Sequence, residues 1–480
     1  MNKQKFYITT TIYYVNDVPH IGHAYTTLAA DIVARYWQQK IGKEYVFFLT
    51  GTDEHGQKIQ QAAAEHGQDP KVFADTVVPR FQEAWKLLNI KYDHFIRTTD
   101  PRHEKVALSL LQKIYDNGYI YKGVYEGLYC VGCEKFLTET DLVEGKCPLH
   151  PNKIPVHQKE ENYFLKLKDL SKIVLQKIEN NEYEILPNFR KNEIVSRLKQ
   201  GVEDISVSRA GVSWGIPVPW DNKQTIYVWV EALMNYYSAT QFLPGKKIFW
   251  PADLHLIGKD ILWFHSVIWQ ALLIAGDIEL PKAIFAHGFF TIDGQKISKS
   301  LGNVIAPNEL TDKYGTDGTR YLIISSYPFG TDGDISFSRF TEKYNADLAN
   351  GLGNLVARIA KLAEQNQWES TQIRINRPNG IEKEVGYLIE HYQLDKALDY
   401  IKGVVSGLDQ YLDHEKPWKK NGSEANQVLS NLIRGAEGVT SIIEIAEALK
   451  PFLPETAEKI LTQFSGTKIK SQPPLFPRIN

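Results

Sequence analysis

Phe6-Tyr7-Ile8-Thr9-Thr10-Thr11-Ile12-Tyr13-Tyr14, followed by Val15-Asn16-Asp17-Val18-Pro19 and then His20-Ile21-Gly22-His23-Ala24, is the stretch whose reading decides the fold. Every residue from Phe6 to Tyr14 is β-branched or aromatic, which predicts a strand. Asn16, Asp17 and Pro19 break it. Beyond them Ala24, Leu28, Ile32 and Tyr36, with Ala29, Val33 and Trp37, recur at helical spacing, and Gly42 stands where the helix should stop. Tyr45-Val46-Phe47-Phe48-Leu49 is a continuous apolar run, as in a strand covered on both faces. Strand, helix and strand at this length predict a βαβ unit, hence a parallel sheet in an α/β domain.

A second unit of the same kind lies far downstream. Ile248-Phe249-Trp250 and Leu254-His255-Leu256-Ile257 read as short strands, Ile261 to Ala275 as a helix, and Ala283-Ile284-Phe285-Ala286 as the next strand. The sheet is therefore expected in two halves, over residues 1–116 and 225–287. Between them, residues 117–224 form an insertion that carries all three cysteines. A lysine-rich loop opens residues 288–345. From 346 to 466 the apolar positions follow helical spacing, first Leu348, Leu352, Leu355, Ile359 and Leu362, then Leu394, Leu398, Ile401, Val405 and Leu412. This predicts a helical bundle. The tail, 467–480, holds Pro473, Pro474 and Pro477 and is expected to be irregular.

Three groups of residues carry chemistry. His20, Gly22 and His23 fall on the first strand-to-helix turn. Ligands of open parallel sheets bind at such turns, and a helix N-terminus there offers N–H groups and positive potential to an anion. Two imidazoles three residues apart suit phosphate oxygens; they equally suit a helix cap or a metal. Asp293-Gly294-Gln295-Lys296-Ile297-Ser298-Lys299-Ser300-Leu301-Gly302 sets two lysines in a glycine-flanked loop, either a solvated basic loop or a pair of charges for a departing pyrophosphate. A Walker-type loop is absent, so phosphate needs another holder. Cys130, Cys133, Cys147 and His150 have the C-x2-C and C-x2-H spacing of two zinc knuckles closing one tetrahedral, structural site. Three free thiols and a chance histidine is the weaker alternative, because no other cysteine exists in the chain.

Composition sets the bounds. The 480 residues have a net charge of −2 and 43% hydrophobic content. That balance demands no polyanionic partner, although a local basic stripe could still serve one. No apolar run reaches the length that crosses a bilayer. Met1-Asn2-Lys3-Gln4-Lys5 lacks the apolar core of a secretory signal. A cytoplasmic protein with no membrane partner is expected.

Four segments occur in order: Ile12 to Tyr25 as quoted above; Gly51-Thr52-Asp53-Glu54-His55-Gly56; Tyr227-Val228-Trp229-Val230-Glu231-Ala232-Leu233; and Gly258-Lys259-Asp260-Ile261-Leu262-Trp263-Phe264-His265-Ser266. Together they resemble the methionyl-tRNA synthetase family over nearly the whole chain. The resemblance implies a class I synthetase: a Rossmann-type parallel sheet split by a zinc-bearing connective insertion, a stem-contact region around the lysine loop, and an all-α anticodon-binding bundle. Its single-knuckle zinc form matches Cys130, Cys133, Cys147 and His150. It implies catalytic roles for His20, His23, Lys296 and Lys299, closing on one ATP with Mg²⁺. Gly22, Gly258, Asp260, Ile297, Ser298 and Ser300 would bind ATP. Ile297 stands where the family usually has Met, an apolar swap of similar size.

The methionine pocket implied by the resemblance is Ile12, Tyr14, Asp53, Trp229, Ala232, Tyr236, Phe264, His265 and Trp269. Asp53 would take the amine, and Tyr236 and His265 would lie near the sulfur, where a weak hydrogen bond would add discrimination against leucine. Sulfur–aromatic contacts add roughly 0.3–1.5 kcal/mol. The family often has Pro where this chain has Leu233. Asn354, Arg358 and Trp418 match anticodon-reading positions, and an exposed Trp with Asn and Arg is a sound reader of single-stranded RNA. The implied activity is that of a methionine–tRNA ligase acting on initiator and elongator tRNA(Met). Family dimers form through an extra C-terminal domain, so a monomer is expected. The rival readings are a synthetase for leucine or cysteine and a non-catalytic tRNA-binding relative. The length leaves no room for an editing insertion, the closed zinc site does not suit the cysteine enzyme, and intact histidine and lysine motifs argue for catalysis.

Overall fold

The computed structural model describes residues 4–131, 135–137, 141–148, 150–152, 154–292, 294–296, 303–369 and 380–480. Along the chain come β1 (Phe6–Tyr14), α1 (Ile21–Ile41), β2 (Val46–Asp53), β3 (His94–Arg97), α2 (Pro101–Asp116), β4 (Glu184–Leu186), α3 (Val228–Leu233) and α4 (Asn235–Phe242). Then follow β5 (Leu254–Gly258), β6 (Ala283–His287), α5 (Pro307–Ser325), α6 (Asn354–Gln365) and α7 (Leu394–Glu415), with further elements between them. Contacts divide the chain into two units. One comprises the residues up to Pro19, Glu44–Glu83 and Tyr92–Ala286; the other comprises His20–Lys43, Ala84–Lys91 and His287–Asn480.

The first unit is built on a six-stranded sheet of order β3-β2-β1-β5-β6-β4. Its pairings are parallel, with Ile8 beside Leu254 and Tyr14 beside Asp53. Every residue of β2 is buried, as the unbroken apolar run requires. Tyr7, Phe47, Leu49, Ile257, Trp269 and Ile284 are wholly buried in one core, each contributing about 1.5–3 kcal/mol of hydrophobic stabilisation. From β1 the sheet runs one way through β2 to β3, and from β5 the other way to β6. The order therefore reverses between β1 and β5, and a crevice is expected at their carboxyl ends.

One expectation needs correction here. Ile248-Phe249-Trp250 is not a strand: Lys247–Phe249 forms a 3-10 turn. Only Phe249 is buried while Ile248 is exposed, and Pro251 has no N–H with which to extend a ladder. The segment read as an insertion also does more than interrupt the sheet. Its strands Ile120–Cys130 and Val156–Leu165 pair antiparallel as a long hairpin, but β4 joins the edge of the main sheet beside β6. Buried Tyr183 and Ile185 hold β4 there, with the Tyr183 hydroxyl donating to the Ser266 carbonyl at 2.7 Å.

The second unit gathers around one guanidinium. Arg320 of α5 is buried and lies 2.8 Å from the Asp31 carboxylate of α1. It also donates to the carbonyls of Leu88, Pro451 and Phe452. A buried charge is tolerable when its donors are met in this way. A small sheet joins Phe290–Ile292 to Gln295–Lys296 and Gly333–Ile335. The helix expected over Leu348 to Leu362 changes pitch: Tyr344–Gly353 is π-helical and α6 begins at Asn354. The tail is irregular, as expected, yet packed. Phe476 is buried, and the Asn345 amide exchanges two hydrogen bonds with the backbone of Ile479, at 2.6 and 3.0 Å. Among the described residues no helix is long and apolar enough to cross a membrane.

Candidate active site

Within the first unit the predicted amino-acid pocket converges on the reversal point of the sheet. Ile12 and Tyr14 end β1, paired with Gly51 and Asp53 at the end of β2. Asp53 is buried. Gly258 ends β5, and Asp260 follows in a 3-10 turn. The Trp229 ring of α3 stacks on Phe264 at 4.1 Å between centroids and meets Tyr14 edge-on at 6.1 Å. Ala232 and Leu233 are buried at the end of α3. Phe264 and His265 stand on a π-helical turn, Phe264–Ile268, which widens the helix by one residue where both rings are displayed. Trp269 follows, wholly buried, with its ring centroid 6.2 Å from that of Tyr236.

The Tyr236–His265 pair has a defined hydrogen-bond direction. His265 Nδ1 lies 3.0 Å from the Ile261 carbonyl and must donate to it. Burial holds His265 down at about 4, so the ring is neutral at ordinary pH and Nε2 accepts. The Tyr236 hydroxyl, 2.8 Å away, is then the donor. The phenol proton is therefore directed at the His265 ring.

In the second unit the two histidines cap α1. The Gly22 N–H donates to His20 Nδ1 at 3.0 Å, and the His20 N–H donates to His23 Nδ1 at 3.2 Å. The rings stack with centroids 3.8 Å apart. A Cβ on residue 22 would lie 2.9 Å from the His20 ring, so glycine permits the cap. The Ile21 N–H donates to the Ile305 carbonyl, and those of His23 and Ala24 to the His20 carbonyl. The first-turn amides expected to meet phosphate are thus engaged. An Nδ1 that accepts a hydrogen bond carries no proton, so each ring carries its proton on Nε2. Desolvation, then the neighbouring His20, hold His23 well below its ordinary value, which keeps it a neutral donor.

The bond from Ile21 to Ile305 brings the chain emerging from the lysine loop onto this helix N-terminus. The backbone of Lys296 pairs with Thr291; Ile297, Ser298, Lys299 and Ser300 lie outside the described residues. The base of the loop is pinned by Asp334, which accepts from the Gly294 N–H and the Thr291 hydroxyl, both at 2.7 Å. Those bonds hold the Asp334 carboxyl below the usual range. Gly294 has φ +74°, a turn conformation suited to glycine. Neither Ile305 nor Asp334 was foreseen, since a lone carbonyl or aspartate has no sequence pattern.

In the insertion, Cys130, Cys147 and His150 present ligand atoms within 4.8 Å of one another. His150 Nδ1 is 3.8 Å from Cys147 Sγ and 4.0 Å from Cys130 Sγ. Zinc ligands at about 2.3 Å for sulfur and 2.0 Å for nitrogen subtend edges close to these separations. Thiolate and imidazole donors also suit the ion, so this cluster could hold a metal; Cys133 lies outside the described residues. In the bundle Asn354 and Arg358 are one turn apart on α6, with Asn354 exposed. Arg358 is paired with Asp409 at 2.5 Å and with Asp413, both on α7. Trp418 is 47% exposed on the short turn Pro417–Lys419.

A family model described as tRNA synthetases class I (M) matches residues 6–154 and 150–360. The methionine–tRNA ligase of Clostridium acetobutylicum is 41% identical, over 100% of this chain and 79% of that protein. That of Thermotoga maritima is 42% identical over 96% and 75%. The chloroplastic/mitochondrial enzyme of Arabidopsis thaliana is 42% identical over 97% and 78%. The structure of Mycobacterium tuberculosis methionyl-tRNA synthetase in complex with methionyl-adenylate superposes with a TM-score of 0.91 at 34% identity, covering 99% of this chain and 100% of that one. With the matched motifs, the split parallel sheet and the Cys/His cluster agreeing over this full length, the chain belongs to the methionyl-tRNA synthetase family of class I aminoacyl-tRNA synthetases.

Proposed function

We propose that this chain activates methionine with ATP and transfers it to the terminal adenosine of tRNA(Met), initiator and elongator alike. The observation that carries the amino-acid specificity is the convergence of Asp53, the Trp229–Phe264 stack and the Tyr236–His265 pair at the reversal point of the sheet. Asp53 offers a carboxylate to the substrate amine. The aromatic walls suit a flexible thioether through shape and polarisability. The methionine carboxylate attacks the α-phosphorus and pyrophosphate departs; a ribose hydroxyl of tRNA then attacks the acyl carbon and releases AMP. No side chain need become a nucleophile. Positioning and charge stabilisation supply the acceleration.

His20 and His23 would donate through Nε2 to phosphate oxygens. Lys296 and Lys299, with Gly22, Ile297, Ser298 and Ser300, would complete the phosphate contacts, and Gly258 and Asp260 would hold the ribose. Mg²⁺ arrives with ATP. Zinc bound by Cys130, Cys133, Cys147 and His150 would brace the insertion without taking part in the reaction. Asn354, Arg358 and Trp418 would read the anticodon. The domain limits follow this reading: catalytic halves at 1–116 and 225–287, the connective insertion at 117–224, the stem-contact region at 288–345 and the bundle at 346–466. We assign the enzyme to the cytoplasm and to a monomeric state, which sedimentation would check.

Methionine-dependent pyrophosphate exchange is the direct test, run against leucine, cysteine and homocysteine. Exchange with methionine in clear preference to leucine and cysteine is the expected result; its absence in the folded protein would overturn the assignment. Lys299→Ala should lower exchange by about 10²–10³-fold, as for loss of one transition-state donor, while tRNA binding survives. Metal analysis should return zinc from the native chain and none from Cys147→Ser.

A further inference from the structure

Behind the amino-acid pocket of the first unit lies a buried polar chain to which the reaction gives no direct part. Glu231 of α3 is wholly buried, and its two oxygens meet two imidazoles. Oε1 is 2.9 Å from His55 Nδ1 and Oε2 is 3.1 Å from His103 Nε2. His103, on α2, is also wholly buried, and its Nδ1 lies 2.7 Å from the Ser238 hydroxyl of α4. His55 Nε2 faces Glu104 at 3.9 Å. Burying a carboxylate costs several kcal/mol unless both oxygens find charged or donating partners. Here burial alone would raise the Glu231 carboxyl, but the two histidines pull it below the usual range.

The partners sit at telling places. His55 is two residues past Asp53. Glu231 stands between Trp229 and Ala232. Ser238 is two residues past Tyr236. The chain therefore ties the loop after β2 to α3, and through α2 to α4, joining the three segments that carry the amine ligand, the aromatic wall and the sulfur-facing phenol.

We propose that Glu231 is a positioning residue for methionine: with His55 and His103 it clasps the segments bearing Asp53, Trp229 and Tyr236 at the separation that the substrate requires. The inference rests on the reading of those residues as the methionine pocket. Glu231 touches no reacting atom; it acts through the geometry of the groups that do.

The test is steady-state pyrophosphate exchange by the full chain, with KM for methionine and for ATP measured separately. Glu231→Gln keeps the side-chain volume but removes the charge that both imidazoles share. KM for methionine should rise by about tenfold or more, the equivalent of one lost hydrogen bond to a charged group. KM for ATP should stay within about twofold, which marks a lost contribution to methionine binding alone. Glu231→Asp, which keeps the charge, should recover much of the loss. His103→Gln attacks the clasp from its far side, should give the same split, and decides the matter if Glu231→Gln does not fold. A folded variant with unchanged KM for methionine, or with equal rises for both substrates, overturns the proposal. So does unfolding of both variants by circular dichroism, which would make the chain structural only. Wild-type protein without methionine-dependent exchange would instead overturn the function proposed above.

Discussion

His20 and His23 each hold Nδ1 against a backbone amide and carry a proton on Nε2, so under the function proposed above one side chain would serve both helix and substrate. The two services separate by substitution. His20→Ala removes a cap and should destabilise the protein by about 1 kcal/mol, whereas His20→Asn, a good capping residue, should restore that stability. Neither variant replaces the Nε2–H, so both should lose exchange by about 10²–10³-fold. Thermal unfolding beside exchange kinetics reads this out; full activity in His20→Asn would reduce the histidine to a cap. The sequence displayed the pair and its turn but left cap and phosphate ligand as alternatives, because spacing alone does not say which nitrogen points where. The same limit hid the donor direction between Tyr236 and His265, which depends on the Ile261 carbonyl four residues away.

Elements were legible in proportion to their length and periodicity. β1, α1 and β2 were evident because nine β-branched or aromatic residues, a helical stripe and a buried apolar run follow one another. β4 escaped notice because three residues carry no period, and the π-helical turns escaped because an extra residue per turn barely alters an apolar stripe. The proline-bearing tail was rightly read as irregular, but irregular is not the same as loose. Phe476 lies beside the Tyr344 ring, with centroids 6.0 Å apart. Phe476→Ala should destabilise the second unit by about 3–5 kcal/mol, as for other large-to-small core changes. A lowered first unfolding transition in calorimetry, with methionine KM unchanged, is the expected pattern. An unaltered transition would mean that the tail contributes no stability.

At the scale of the whole molecule, buried bases shape the response to acid. Burial holds both His265 and His287 down at about 4. An unfolded chain would bind a proton at each below about pH 6.5. Between about 6.5 and 4 the unfolded state therefore carries more protons, and stability falls as pH falls, by about 1.4 kcal/mol per pH unit for each histidine. His55, which Glu231 raises above its ordinary value despite burial, works in the opposite sense: its contribution is complete at low pH and is lost as pH climbs through the raised value. Burial also depresses His23, His94 and His255, so the depressed histidines outweigh the one raised, and the melting temperature should drop from pH 7 to pH 5, less steeply in His287→Gln. A profile that is flat, or equally steep in that variant, would contradict this balance.

The seam between β1 and β5 has a consequence for biosynthesis. Thr9 and His255, hydrogen-bonded across it, are 246 positions apart. A ribosome adding 5–20 residues per second needs roughly 12–50 s to travel that distance. Through that interval β1 can recruit β2 on one side, but its other edge has no native partner yet synthesised. A nascent strand with an open flank rich in threonine, isoleucine and tyrosine is a template for illegitimate pairing. The split sheet therefore leaves one edge of β1 in need of protection for as long as translation of the intervening residues lasts.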